Sequence, residues 1–160
     1  MRKIIITLMI IVSALGMQAQ KGEKTIGVSA GYNTYNENCI AGIFFQYRFS
    51  KYFRIAPDLQ YQMKNNGVSG YQFNGNAHFP IKMDTRFNFY PFAGVTYQSW
   101  RAKFNETDEQ ETRKNYFGAN VGGGFEYFAT PTLRLAAEAK YSVLRHYSNG
   151  SFTLSIGFVF

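Results

Sequence analysis

Nine charged side chains fall on one phase of a two-residue alternation in this 160-residue sequence, and they are its first candidates for chemistry. They are Arg48, Arg54, Asp58, Lys64, Lys82, Glu126, Arg134, Glu138 and Lys140. If that phase lines an enclosed space, the charges must pair or stay wet, because an unpaired buried charge is costly. Asp58, Glu126 and Glu138 can accept from Arg48, Arg54, Lys82, Arg134 and Lys140. Such a network serves either as a polar plug or as an ion-selective lining, and its excess of cations would favour anions in any pore. Catalysis has thinner support. His146 and Ser148 stand two apart with no acid nearby in sequence, so a nucleophile and base would lack the carboxylate that orients them. No spacing of His, Cys, Asp and Glu suits a metal, and no cofactor is expected. Gly122-Gly123-Gly124 lies inside an alternating run with no helix after it, which excludes a phosphate loop. The single cysteine, Cys39, excludes an internal disulfide and reads as a small apolar residue.

Alternating elements must position these charges. Runs of period two occur at 24–33, 39–49, 53–64, 71–82, 89–100, 117–127, 133–143 and 152–160. In the third run Phe53, Ile55, Pro57, Leu59, Tyr61 and Met63 alternate with Arg54, Ala56, Asp58, Gln60, Gln62 and Lys64. In the last, Phe152, Leu154, Ile156, Phe158 and Phe160 alternate with Thr153, Ser155, Gly157 and Val159. The fifth run, with Tyr90, Phe92 and Trp100 opposite Phe89 and Tyr97, separates its faces least. The apolar faces carry no charge, and composition supports strands: 16 Phe, 12 Tyr and 15 Gly, with Leu scarce after the first segment.

Volume decides which face looks inward. An eight-stranded barrel holds only side chains or one small ligand. The aromatic faces are too bulky for that space, whereas the opposite faces are rich in Gly, Ala, Ser and Thr. The aromatic side therefore points outward, which is tolerable only against lipid. Lengths of 9–12 residues suit tilted transmembrane strands, which need about 9–11, and closure satisfies every strand edge. Tyr47, Phe49, Phe53, Phe89, Phe125, Tyr127, Phe158 and Phe160 form one expected girdle. Tyr32, Tyr61, Tyr71, Tyr141 and Phe152 form the other. A nucleic-acid role, which a pI near 9.5 would otherwise invite, is excluded because aromatic and basic residues do not share a face.

The last strand ends Phe158-Val159-Phe160, in phase with Phe152, Leu154 and Ile156. With Tyr90-Pro91-Phe92-Ala93-Gly94-Val95, and Gly118 through Tyr127 followed by Thr130-Pro131-Thr132-Leu133, the chain resembles the small outer-membrane β-barrel family of Gram-negative bacteria, the OmpA-like and OmpX-like barrel domains. Ser155 stands where similar families show glycine. The resemblance implies an eight-stranded antiparallel up-and-down transmembrane barrel with both termini periplasmic. It also implies that Phe158 and Phe160 act as a signal to the outer-membrane assembly machinery, and that lipid and lipopolysaccharide surround the barrel.

Residues 1–19 read as a signal peptide: Arg2 and Lys3, an apolar run from Ile4 to Val12, then small residues to Ala19. Its removal takes the net charge from +7 to +5 and leaves 20–160 as the barrel domain. The outer connections are expected at 34–38, 65–70, 101–116 and 144–150, and the periplasmic turns at 50–52, 83–88 and 128–132. Segment 101–116 is the longest and the natural place for an extracellular partner. The expected function is structural or surface-interacting, as a monomer and not an enzyme. A narrow, weakly anion-preferring pore, a lipid-modifying enzyme and a soluble ligand-binding barrel are the alternatives.

Overall fold

A computed structural model describes residues 22–35, 37–65, 68–102, 112–145 and 147–160. Every alternating run forms a strand, because β-branched and aromatic residues suit a pleated surface with two unlike faces. The strands are β1 (Lys24–Asn33), β2 (Asn38–Ser50), β3 (Phe53–Asn65), β4 (Val68–His78), β5 (Ile81–Lys82), β6 (Phe87–Ala102), β7 (Thr112–Phe128), β8 (Leu133–Leu144) and β9 (Ser148–Val159). Chain neighbours other than β4 and β5 pair antiparallel, and β1 pairs with β9 while β4 pairs with β6, so eight long strands close into a barrel. β5 continues the β4 arm. Phe79 N donates to Pro91 O at 3.0 Å, and Ile81 and Lys82 pair with Phe89 and Asn88. The break falls at Pro80, which has no N–H to give the ladder.

The faces sort as the volume argument requires. Val28, Ile43, Phe117, Leu154 and Ile156 are each more than half exposed on the outer wall. Arg54, Gln62, Asn74, Gln98, Glu126 and Arg134 are buried inside. Rings run along the outer wall at the end bearing the short turns. Phe49 meets Tyr47 and Phe53, Phe53 meets Phe79, and Phe125 meets Phe87 and Phe89, with centroids 4.7–5.9 Å apart. Tyr61 and Tyr71, 5.1 Å apart, mark the opposite end.

The structure adds to the sequence reading in two places. The interior is not free of large apolar groups: Ile40, Phe44, Tyr90, Phe92 and Trp100 are buried within it. Glycines opposite them make the room. Phe92 faces Gly122 and Tyr90 faces Gly124 across the β6–β7 ladder, and Phe44 faces Gly27 across β1–β2. A Cβ at Gly124 would stand 2.5 Å from Tyr90 Cζ, and one at Gly27 would stand 2.5 Å from Phe44 Cζ. Paired large and small residues thus fill the taper. Strands also run further than the alternation showed. β6 and β7 stay paired out to Ala102 and Thr112, so Arg101–Ala102 and 112–116 are ladder rather than loop. Residues 1–19, 103–111 and 146 lie outside the described residues, and with them the signal peptide, most of the long connection and His146.

Candidate functional site in the barrel interior

Three of the charged residues meet at the turn-bearing half of the lumen. Arg54 reaches in from β3, Glu126 from β7 and Arg134 from β8, each in inward phase. Arg54 Nη1 donates to Glu126 Oε2 at 2.7 Å and Arg134 Nη1 to the same oxygen at 3.1 Å. Asn88 Nδ2 donates to Oε1 at 2.8 Å. Arg134 Nη1 also donates to Gln46 Oε1. Aromatic faces carry the guanidinium groups: Arg54 lies 4.6 Å from the Tyr90 ring centroid and Arg134 lies 5.4 Å from that of Phe44. His78 stacks on Tyr90 at 4.8 Å, and its Nδ1 accepts from Arg54 Nε at 3.4 Å, which leaves the ring proton on Nε2. The buried ends of Arg54 and Arg134 are thus held by a carboxylate, by neutral acceptors and by ring faces together.

The remaining three interior charges sit deeper toward the loop end and touch neutral partners. Asp58 accepts from Asn74 at 2.7 Å and Asn76 at 3.3 Å. Glu138 accepts from the Tyr90 hydroxyl at 3.1 Å. Lys140 Nζ donates to Gln60 at 3.4 Å. Between them lies a cavity of about 30 Å³, bordered by Asp58, Glu138, His78 and Tyr90, with room for about one water. Above it the side-chain amides of Gln62, Gln72, Asn74, Asn76 and Asn120 hydrogen-bond to one another at 2.9–3.2 Å. Ser142 donates to Asn120 at 2.8 Å. Amides suit this position because each group both donates and accepts, so a chain of them satisfies itself without charge.

Arg48 and Lys82 do not join the network. Arg48 lies at the rim, where its Nη2 is 3.3 Å from Glu23 Oε1. Lys82 is exposed at the same mouth, and Lys64 is exposed at the other end of β3. The expected excess of cations along the interior is corrected accordingly. Among the described residues Arg54, Arg134 and Lys140 face Asp58, Glu126 and Glu138, three against three, so the middle of the lumen carries no excess of cations. Among the described residues no group of His, Cys, Asp and Glu is placed to hold a metal. Cys39 is exposed on the outer wall. Phe158 and Phe160 are half-buried at the end of β9, where Phe160 and Lys24 exchange backbone hydrogen bonds of 2.8 and 2.9 Å.

An oily exterior around a polar interior, closed on every edge, is the arrangement of a barrel that crosses a membrane. The family model for the outer membrane protein beta-barrel domain matches residues 5–160. The chain belongs to that family. Solved outer-membrane barrels share its fold. The N-terminal barrel of Pseudomonas aeruginosa OprF has a TM-score of 0.75 and 17% identity, covering 88% of this chain and 99% of its own. Ail of Yersinia pestis, an attachment invasion locus protein, has 0.64 and 14%, covering 88% and 99%. Neisserial surface protein A has 0.66 and 15%, covering 86% and 94%. No curated protein matches the chain in sequence.

This outer-membrane barrel has a second cluster at its loop end that the alternation did not reveal. Tyr147, between β8 and β9, stacks on Tyr35 at 4.4 Å and meets Tyr116 edge-on at 5.1 Å. Its hydroxyl donates to Gln98 at 2.6 Å and accepts from Trp100 Nε1 at 2.5 Å. Burial pushes that hydroxyl up to about 12, against the hydrogen bond from Trp100, which lowers it. The connection before β9 is thereby tied to two inward residues of β6.

Proposed function

We propose that this protein is a structural outer-membrane barrel with a closed lumen, which holds its loop end toward the environment and both termini toward the periplasm. One observation carries the closed lumen. The Arg54–Glu126–Arg134 cluster and the amide layer above it leave a void of about 30 Å³ between them, about the space of one water. Planar-bilayer recording of the purified protein tests it: a silent baseline is expected, and reproducible unitary steps would refute closure.

The same proposal assigns no catalysis and no cofactor. Residues 1–19 are removed as a signal peptide, and Phe158 and Phe160 address the chain to the assembly machinery. Lipid and lipopolysaccharide surround a monomer, and the connection between β6 and β7 meets any extracellular partner. The connection between β6 and β7, at 103–111 longer than any at the other end, supports the orientation, since such barrels place short turns in the periplasm and long loops outside.

A further inference from the structure

The mouth at the turn-bearing end is a bowl of about 700 Å³. Its cations come from three separate segments: Arg48 from β2, Lys51 from the β2–β3 turn and Lys82 from β5. Glu23 is the one acid on its wall among the described residues, so the lining is cationic. Arg48 is the least satisfied of the three. Its side chain is only 16% exposed, its Nη2 stands 3.3 Å from Glu23 outside hydrogen-bond geometry, and its Nε has no partner. Both atoms are shielded beneath the bowl wall that Arg48 helps to form, so the guanidinium must turn to present them, and an oxyanion then meets them with charge-assisted bonds that water cannot equal. Tyr52, beneath Lys51 Nζ at 4.7 Å, and Phe128 add apolar wall beside these charges.

From the bowl's shape and charge we infer that it binds an oxyanion, phosphate or carboxylate, carried on a partly apolar body. Arg48 grips the anion, Lys51 and Lys82 draw it in, and Tyr52 and Phe128 cover the apolar part. Access from the periplasm rests on the orientation proposed above, whereas binding itself does not.

The test uses the barrel without residues 1–19, refolded into phosphatidylcholine nanodiscs at low salt and followed by NMR. Dihexanoyl phosphatidic acid, inorganic phosphate and dihexanoyl phosphatidylcholine are titrated in turn. Phosphatidic acid should give saturable shifts at Arg48 Nε–H and at the Lys51 and Lys82 amides, with phosphate binding at least ten-fold more weakly and phosphatidylcholine not at all. Arg48→Gln should weaken binding ten-fold or more, and the double variant Lys51→Gln/Lys82→Gln several-fold. Both altered lysines are exposed, so the double variant remains informative if Arg48→Gln fails to fold. Shifts that do not saturate, equal response to phosphatidylcholine, or full affinity in the double variant would overturn the site. Equal affinity for phosphate and phosphatidic acid would overturn the apolar body. Labelling of Thr85→Cys from outside intact cells would overturn the orientation alone.

Discussion

Replacing Glu126 by Gln keeps the volume of the side chain and removes the carboxylate that bridges two buried guanidinium groups. Both Arg54 Nη1, at 2.7 Å, and Arg134 Nη1, at 3.1 Å, end on Glu126 Oε2. Each is a charge-assisted bond worth about 1.5–3 kcal/mol. They share one acceptor atom, so their sum is bounded by the about 3–5 kcal/mol lost when a buried pair is broken. Arg54 and Arg134 are each 2% exposed and cannot swing into water. Gln offers one oxygen where the carboxylate offers two, so in either orientation of its amide an NH2 faces a donor, and the expected loss falls within that range. Against a total stability of about 5–15 kcal/mol this is a large fraction. Urea unfolding in lipid vesicles, followed by emission of Trp100 (the sole tryptophan) and by the heat-dependent gel shift of the folded barrel, reads the change. A triple variant, Arg54→Met/Glu126→Leu/Arg134→Met, should recover most of the loss, because apolar groups of similar volume replace buried ion triads without penalty. A Glu126→Gln barrel within about 1 kcal/mol of the parent, or a triple variant no better than the single, would refute the pairing account.

Gly124→Ala should destabilise by about 1–3 kcal/mol, since its Cβ would meet Tyr90 at 2.5 Å; an unchanged urea midpoint would contradict the large-small pairing. Leu154→Arg, on the outer wall midway along β9, should cost up to about 2–4 kcal/mol in a bilayer, and the same unfolding assay checks it. Tyr147→Phe should free the connection before β9, seen as a red shift of Trp100 emission and greater access to acrylamide. The Tyr147 hydroxyl titrates higher folded, at about 12, than unfolded, near 10. Its contribution is therefore complete below pH 10 and lost as pH rises toward 12, so Trp100 emission should hold steady to pH 10 and move above it.

Alternation told which wall each residue belongs to, because a strand has only two faces. Leu154 and Ile156 went to lipid, and Arg54 and Glu126 to the interior, on that ground alone. Height along the axis was not legible. Arg48 and Lys82 share the inward phase with Arg54 but sit where their strands leave the barrel. Depth depends on the stagger between strands, which no single run encodes. Partner choice has the same origin: Arg54 and Glu126 are 72 residues apart and meet only through the closed sheet. The alternation set Tyr90 and Phe92 opposite the outward Phe89 and Tyr97, but the glycines that make room for them, Gly124 and Gly122, are found only from the β6–β7 register. The break at Pro80 was legible in principle, since proline cannot donate to a ladder.

One joint of the cylinder differs from all the others. Each long strand pairs with the long strand before it in the chain, except where Lys24 and Phe160 clasp β1 to β9. Contacts between adjacent hairpins can form locally and early, but this clasp must gather the two extremes of the domain and carries the largest loop-closure entropy of the assembly. Until it forms, β1 and β9 each present a bare row of amides and carbonyls, which hydrocarbon cannot solvate. Insertion and closure are therefore one event for this chain, and a partly zipped sheet has no resting place inside the bilayer.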